Sequence, residues 1–291
     1  MKRCIECKTA IIDNEWACTN CDWRPKESNG CYIIHPELNE DDMGFSQESF
    51  DRLYNLEWSH FWFRARNHLI LWAIKKYFDI PKRFLEIGCG TGFVLKGIYD
   101  AFPKTMVTGS DISENGLKYA AKRLGDVEMV QFDATAIPYE SEFDVIGCFD
   151  VLEHIKEDNL VLKQINKALV EGGELIITVP QHKFLWSQAD ERACHQRRYS
   201  VGELKNKLIL ADFEVIRSTS FVTLLFPLMV LARLRKRKKT VSDNAESELS
   251  LNRFINKAFE VVLFIERQLI KIGFNLPFGG SLMILARKAG S

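Results

Sequence analysis

The sequence predicts a doubly wound α/β domain, and three features carry that expectation. Between residues 81 and 220, short β-branched runs alternate with helical patterns. The runs are apolar throughout rather than at every second position. The first of them opens into a glycine-rich turn. Alternation of this kind implies parallel strands joined by right-handed helical crossovers. Strands apolar on both sides imply a sheet covered on both faces.

The strand candidates are RFLEIG (83–88), TMVTGSD (105–111), VEMVQFD (127–133), FDVIGCFD (143–150) and ELIITVP (174–180). Helical patterns fall near 92–101, 114–124, 157–170 and 201–210. Five zones follow: a cysteine-rich segment (1–35), an aromatic helical lead-in (36–80), the α/β domain (81–220), a helical insertion (221–280) and a closing strand (281–291). Ligands of such sheets lie beyond the carboxyl ends of the strands, so the residues after each strand are the candidate site.

The first strand runs into Gly88-Cys-Gly-Thr-Gly92. Gly88 and Gly90 let the backbone turn sharply and approach a ligand, and Gly92 lets the next helix pack closely. About 20 residues later the second strand ends at Asp111, an acidic side chain suited to two ribose hydroxyls. The pair marks an adenosine-type cofactor. A dinucleotide site favours G-x-G-x-x-G, whereas position 93 is Phe and the spacing is G-x-G-x-G. Glu86, just before the turn, would repel a pyrophosphate but suits an ammonium. Both details favour S-adenosylmethionine over a nicotinamide dinucleotide.

The motifs FLEIGCGTGF (84–93), GSDIS (109–113), FDATAIPY (132–139), FDVIGCFDVLEHI (143–155) and LVEGGELIITVP (169–180) together resemble the class I S-adenosylmethionine-dependent methyltransferases. The resemblance implies a Rossmann-like, mostly parallel sheet of seven strands. FEVIRSTS (213–220) would be the sixth strand and SLMILARK (281–288) an antiparallel seventh inserted beside it. It implies that the turn with Cys89 holds the methionine end, Asp111 the ribose, Ile112 the adenine ring and Asp133 with Ala134 the adenine edge. Phe149 and Asp150 would close the site. The structural alternative for Asp133 and Asp150 is to cap the helices that follow.

Methyl transfer needs the nucleophile held about 3 Å from the methyl carbon and shielded from water. The segment after the fifth strand is dense in polar and aromatic groups: Trp186, Asp190, His195, Arg197, Arg198 and Tyr199. It is similar to a stretch in a type 11-like subset of the family. His195 is the candidate base, with His154 a second, and the others are candidate acceptor contacts; an arginine here suits a carboxylate or phosphate. The alternative is structural: Asp190 pairs with an arginine, and Tyr199-Ser200 caps the helix at 201–210. Upstream, Trp62 and Arg66 share a helix face. The resemblance implies that Arg66 meets the methionine carboxylate.

Cys4-x-x-Cys7 and Cys18-x-x-Cys21 lie ten residues apart. Two such knuckles match the tetrahedral, four-thiolate preference of structural zinc. A segment this short has too little core to fold alone, so the metal would supply much of its folding energy. Four protein ligands leave no open position for catalysis. Cys31 has no evident partner in the sequence.

In the insertion, FVTLLFPLMVLA (221–232) precedes a cluster of six basic residues, Arg233–Lys239. A second apolar helix follows around Phe254–Leu269. This pair suits peripheral membrane contact, a substrate lid or a homodimer contact. No signal-length apolar segment follows the first residues, so the expectation is a cytoplasmic protein, at the inner face of the membrane if the insertion meets lipid. Thirty-nine basic residues balance thirty-nine acidic ones, which disfavours a nucleic-acid grip along the whole surface. The sequence therefore favours methylation, on oxygen, of a small, lipid- or sugar-linked acceptor. A zinc-ribbon RNA methyltransferase and a non-catalytic cofactor sensor or scaffold are the alternatives.

Overall fold

The computed structural model describes residues 1–12, 16–38, 47–236 and 251–290. At the N-terminus, β1 (Lys2–Arg3) pairs with β2 (Ala10–Ile11), and β3 (Lys26–Ser28) pairs with β4 (Cys31–Ile33). Helices α1 (Gln47–Leu56) and α2 (Phe61–Tyr77) lead into the α/β part. There β5 (Arg83–Ile87), α3 (Phe93–Ala101), β6 (Met106–Asp111), α4 (Glu114–Leu124) and β7 (Glu128–Gln131) alternate. Next come β8 (Phe143–Phe149), α5 (Asp158–Ala168), β9 (Leu169–Pro180), α6 (Gln188–Arg192), α7 (Val201–Ile209) and β10 (Phe213–Phe221). The chain closes with α8 (Phe226–Lys236), α9 (Arg253–Lys271) and β11 (Ser281–Lys288).

The sheet order is β10-β11-β9-β8-β5-β6-β7-β4-β3. Strands β5 to β9 are parallel, and β11 runs antiparallel between β9 and β10. These are the seven strands of the expected fold, with the antiparallel seventh beside the sixth. Two more extend it. β4 pairs parallel with β7, Cys31 opposite Met129 and Ile33 opposite Gln131, and β3 flanks it. The hairpin at 26–33, assigned to the ribbon from sequence, therefore caps the edge that β7 would otherwise leave unpaired. Cys31 is a buried strand residue, and burial pushes its thiol up to about 11.

Alternation along the strands divides the core between two faces. Leu85 and Ile146 pack with Val161 and Ile165 of α5 and Leu204 and Leu208 of α7. Phe84 and Val145 face the opposite way, with Ile70 of α2, Ile98 of α3 and Leu117 of α4. The ribbon shares the first of these cores through Cys4, Ile11 and Trp16. Trp16 is almost fully buried, meets Tyr139 edge-on at 5.3 Å and donates its indole N–H to Glu128 at 3.2 Å.

α9 packs along α2. Phe61 meets Phe259 at 5.2 Å, Arg64 pairs with Glu260 at 2.8 Å, and the Asn256 side chain accepts from the Phe61 N–H at 2.9 Å. Glu266 turns back to accept the Val222 and Leu224 N–H groups. Leu228 and Leu231 of α8 and Phe254 and Phe264 of α9 remain exposed. Residues 237–250, with half of the basic cluster and the acidic link, lie outside the described residues. Among the described residues, no helix is long and apolar enough to cross a membrane.

Candidate cofactor and acceptor site

A cavity of about 840 Å³ opens at the carboxyl ends of β5, β6, β7 and β8, within the roughly 300–1,000 Å³ typical of ligand pockets. The turn after β5 forms its floor. Gly90 has φ +51°, a Cβ there would meet nothing within 4 Å, and its N–H donates to Asp111 Oδ2 at 2.8 Å. Gly92 has φ +73° and faces the other way, where a Cβ would come within 2.9 Å of Ala120 and Leu124. The second Asp111 oxygen accepts the Ser113 N–H at 2.9 Å. Each oxygen thus spends one lone pair on backbone, and the carboxylate lines the cavity.

Glu86, Gly88 and Cys89 line the same cavity; Gly92 supports it from behind. Glu86 is almost completely buried, and its Oε2 has no hydrogen-bond partner. Burial pushes the carboxyl well above its ordinary range, against the pull of Arg66. A cationic ligand group would satisfy this orphaned oxygen, so the donor set fits the ammonium end of S-adenosylmethionine. Arg66, buried on α2, stacks on Trp62 at 4.5 Å and forms an ion pair with Asp150. Asp150 also accepts from Thr178 Oγ1 at 3.1 Å and has φ +58°, outside the usual range for a non-glycine residue. Two groups proposed separately from sequence thus form one contact at the end of β8.

On the far side, Ile112, Phe132, Asp133, Ala134 and Phe149 line the cavity. Asp133 accepts the Thr135 N–H at 2.7 Å and so acts as a cap for the short helical turn at 134–136. A buried cluster behind the turn has no counterpart among the sequence motifs. There Thr91 donates to Glu57 at 2.7 Å and Arg123 pairs with Glu57 at 2.8 Å, stacked on Tyr54. Glu57 lay in a recognisable helical pattern, but its partners arrive from the glycine turn and from α4, 34 and 66 residues on.

The segment after β9 divides in two. His195 and Arg198 line the cavity, facing His154 from the turn after β8; Trp186, Asp190, Arg197 and Tyr199 do not. Asp190 is buried and takes two bonds from Arg198, at 2.7 and 3.1 Å, and one contact from His195 Nδ1 at 3.0 Å. Burial raises its carboxyl, but these partners outweigh burial and hold it well below the usual carboxylate range. Arg197 pairs with Asp158 at 2.6 Å, and the fully buried Tyr199 hydroxyl donates to Asp158 at 2.7 Å. Trp186 sits on the outer surface, 36% exposed. Asp190 thus pairs with an arginine and Ser200 caps α7, as in the structural alternative; buried carboxylates demand cationic partners, and Asp158 takes two of the candidate acceptor contacts, Arg197 and Tyr199. Burial, then the neighbouring His195, brings His154 down to about 4.

In the ribbon, the Sγ atoms of Cys4, Cys7, Cys18 and Cys21 all lie within 4.8 Å of one another, with Cys4–Cys21 at 3.6 Å and Cys7–Cys18 at 3.5 Å. Tetrahedral zinc with bonds of about 2.3 Å needs sulfurs about 3.8 Å apart, so the cluster fits that ion. Each knuckle turns through a left-handed residue four positions after its first cysteine, Lys8 at φ +61° and Asp22 at φ +57°.

Residues 85–177 match the family model described as Methyltransf_11, methyltransferase domain. Within that stretch the chain is similar to methyltransferase domains, and the fold around it is one that solved methyltransferases share. The chain is 29% identical over 103 residues to a ubiquinone biosynthesis O-methyltransferase of Idiomarina loihiensis, covering 33% of this chain and 42% of that protein. It is 31% identical over 149 residues to a malonyl-[acyl-carrier protein] O-methyltransferase of Anoxybacillus flavithermus, covering 50% and 54%. The chain thus spans about half the length of the curated relatives it matches. Phosphoethanolamine N-methyltransferase 2 of Haemonchus contortus, solved with S-adenosyl-L-methionine, shares the fold with a TM-score of 0.56 at 19% identity, over 86% of this chain and 59% of that one.

Proposed function

We propose that this protein transfers a methyl group from S-adenosylmethionine to an oxygen of a small, lipid- or carrier-linked acceptor, with a structural zinc in its N-terminal ribbon. The observation that carries the reading is the presence of two carboxylates in one cavity: Asp111, which braces the glycine turn, and Glu86, buried with an unpartnered oxygen. When bound, the cofactor supplies a methyl group on a sulfonium centre. The protein's part is placement. Asp111 takes the ribose hydroxyls, Glu86 the ammonium, Arg66 the carboxylate, and Ile112 and Phe132 flank the base. Asp133 and Ala134 meet its edge, while Phe149 and Asp150 close the end of β8.

The acceptor then lies toward His154 and His195 and under Met229 of α8, which lines the same cavity. Two features support a lipid- or carrier-linked acceptor. Two of the relatives are named for ubiquinone biosynthesis and for malonyl-[acyl-carrier protein], and the exposed Leu228 and Leu231 lie on the helix that borders the cavity. That surface suits peripheral contact with the inner face of a membrane, with a homodimer as the competing use.

The test is calorimetry followed by labelling. S-adenosylmethionine should titrate with one site per chain, and nicotinamide dinucleotides should give no heat. Methyl-labelled cofactor should then label a lipid or carrier fraction of a cell extract. Label confined to RNA would replace this reading with an RNA methyltransferase, and binding with no label anywhere would favour a sensor.

A further inference from the structure

At the acceptor end of the cavity, three side chains converge that the cofactor does not need. Glu153 lies just past β8, in the short helical turn at 152–154, is 1% exposed and has an Oε2 without a hydrogen-bond partner. His154 follows it. His195 comes from the loop after α6, with Nε2 4.0 Å from Glu153 Oε1, and its ring meets that of His154 edge-on at 4.7 Å. One nitrogen or oxygen from each of the three lies within 4.8 Å of the others.

The surroundings hold these groups in ligand-like orientations. His195 Nδ1 is taken by Asp190 at 3.0 Å, which directs Nε2 toward Glu153. The His154 ring bonds the Ala193 backbone, which steadies it beside His195. The Gln196 N–H donates to the Glu153 carbonyl at 2.7 Å and ties the loop to the turn. Metal-binding histidines characteristically give one ring nitrogen to a carboxylate or carbonyl, which fixes the ring and the tautomer. A mere packing role for Glu153 would not leave a buried carboxylate oxygen unbonded.

We propose that Glu153, His154 and His195 hold a divalent first-row cation at the acceptor end of the cavity, with its open positions facing the acceptor. Two imidazoles and one carboxylate form a neutral-nitrogen and oxygen donor set suited to zinc, iron or cobalt. Ligand atoms about 3.4 Å apart satisfy bonds of about 2.1 Å, so side-chain torsions must bring the widest pair in by at most about 1.4 Å. The site deepens the methyltransferase reading and rests on it for its purpose: an acceptor with two neighbouring oxygens would chelate the ion, and a hydroxyl on such an ion becomes more acidic, as bound water does. His195 then serves as a ligand rather than as a free base.

The experiment uses the full chain with its ribbon loaded with one equivalent of zinc. Cobalt(II) is titrated into it by calorimetry and followed by visible absorption. One further equivalent is expected, with a d–d band lacking the thiolate charge transfer of a four-cysteine site. His195→Gln and His154→Gln should each weaken cobalt binding at least about tenfold, with Glu153→Gln as a third variant where it folds. S-adenosylmethionine is titrated into the same preparations. Cofactor heat with no second cobalt equivalent, or with unchanged cobalt affinity in both histidine variants, overturns the site and leaves the methyltransferase reading standing. Cobalt binding lost in the variants, without cofactor heat in the parent, does the reverse.

Discussion

His35 and Gln131 hold one another through two hydrogen bonds: the His35 N–H donates to Gln131 Oε1 at 2.9 Å, and Gln131 Nε2 donates back to the His35 carbonyl at 3.1 Å. The same amide nitrogen reaches the Ile112 carbonyl at 3.2 Å, and the Asp133 N–H donates to His35 Nδ1 at 3.4 Å. The strand that follows the ribbon therefore pins both loops that line one side of the cavity. If metal folds the ribbon, ribbon integrity and cofactor affinity are linked. Chelating the zinc, or Cys18→Ser, should lower the melting temperature and weaken S-adenosylmethionine binding together. Gln131→Ala should cost about 1–3 kcal/mol through the groups it leaves unbonded and weaken the cofactor without metal loss. Calorimetry with metal analysis checks both; full cofactor affinity in the metal-free chain would break the link.

Asp111 and Asp133 differ in what they already hold. Asp111→Ala removes the ribose acceptor and the brace on Gly90, so cofactor affinity should fall by about 1.5–3 kcal/mol, or roughly 10–100-fold. Asp133→Ala loses the cap on Thr135, about 0.5–2 kcal/mol of stability. If Asp133 also meets the adenine edge, its variant loses affinity as well as stability. A lower melting temperature at unchanged affinity would reduce Asp133 to a cap. Isothermal titration beside thermal melts separates the two.

The fold was legible because its cues are local: apolar strands, crossover helices and a glycine turn each lie within a few residues of one another. The glycines and Asp111 were legible for the same reason, since one turn and one strand end fix their relation. The acceptor loop was not. Whether Arg197 and Tyr199 face a ligand or a buried carboxylate depends on Asp158, about 40 residues away in sequence. Nor did spacing reveal that Arg66 on α2 meets Asp150 after β8, or that the 26–33 hairpin joins β7 instead of remaining with the cysteine knuckles. Long-range charge pairing and edge pairing leave no periodic trace.

Gly90 and Gly92 share a left-handed backbone but not an environment. At Gly90 a methyl group meets open space, so Gly90→Ala should cost about 1 kcal/mol of backbone strain and project a methyl into the cofactor cavity. At Gly92 the added carbon would also press on Ala120 and Leu124 at 2.9 Å, and overpacking adds about 1–3 kcal/mol. Chemical denaturation should rank Gly92→Ala as clearly less stable. Calorimetry should show the larger loss of cofactor affinity per unit of stability in Gly90→Ala. Equal stability losses would mean that α4 yields to the new methyl.

The exposed side chains of Leu228 and Leu231 stand about half accessible on the helix that borders the cavity. A lipid-linked acceptor would bring this face to a bilayer, where each buried side chain contributes about 1.5–3 kcal/mol. The full chain should float with vesicles containing anionic lipid. Leu228→Ser with Leu231→Ser should remain in the soluble fraction while retaining cofactor binding. If parent and variant both stay soluble, and sedimentation finds a dimer that the double variant splits, the face is a contact between copies of the chain.

Glu86 gives stability and cofactor binding opposite dependences on pH. Burial raises its carboxyl well above the ordinary value of 4.5, so the native state keeps the proton after the unfolded chain has lost it. Native protein then binds more protons than unfolded protein, and stability falls as pH rises from about 4.5 through the native pKa. Below that window both states are protonated and the residue is neutral in effect. Glu86→Gln never ionises, so without cofactor its melting temperature should exceed the parent's at pH 7, with the gain vanishing below about pH 4.5. With cofactor the order reverses: the parent's affinity should increase with pH as Glu86 ionises against the ammonium, while the variant's stays weaker and flatter. Melting curves and titrations from pH 4 to 8 read both effects. A variant that melts lower than the parent at pH 7, or binds cofactor with the parent's pH profile, would show that the Glu86 carboxylate is already paired and does not face the ligand.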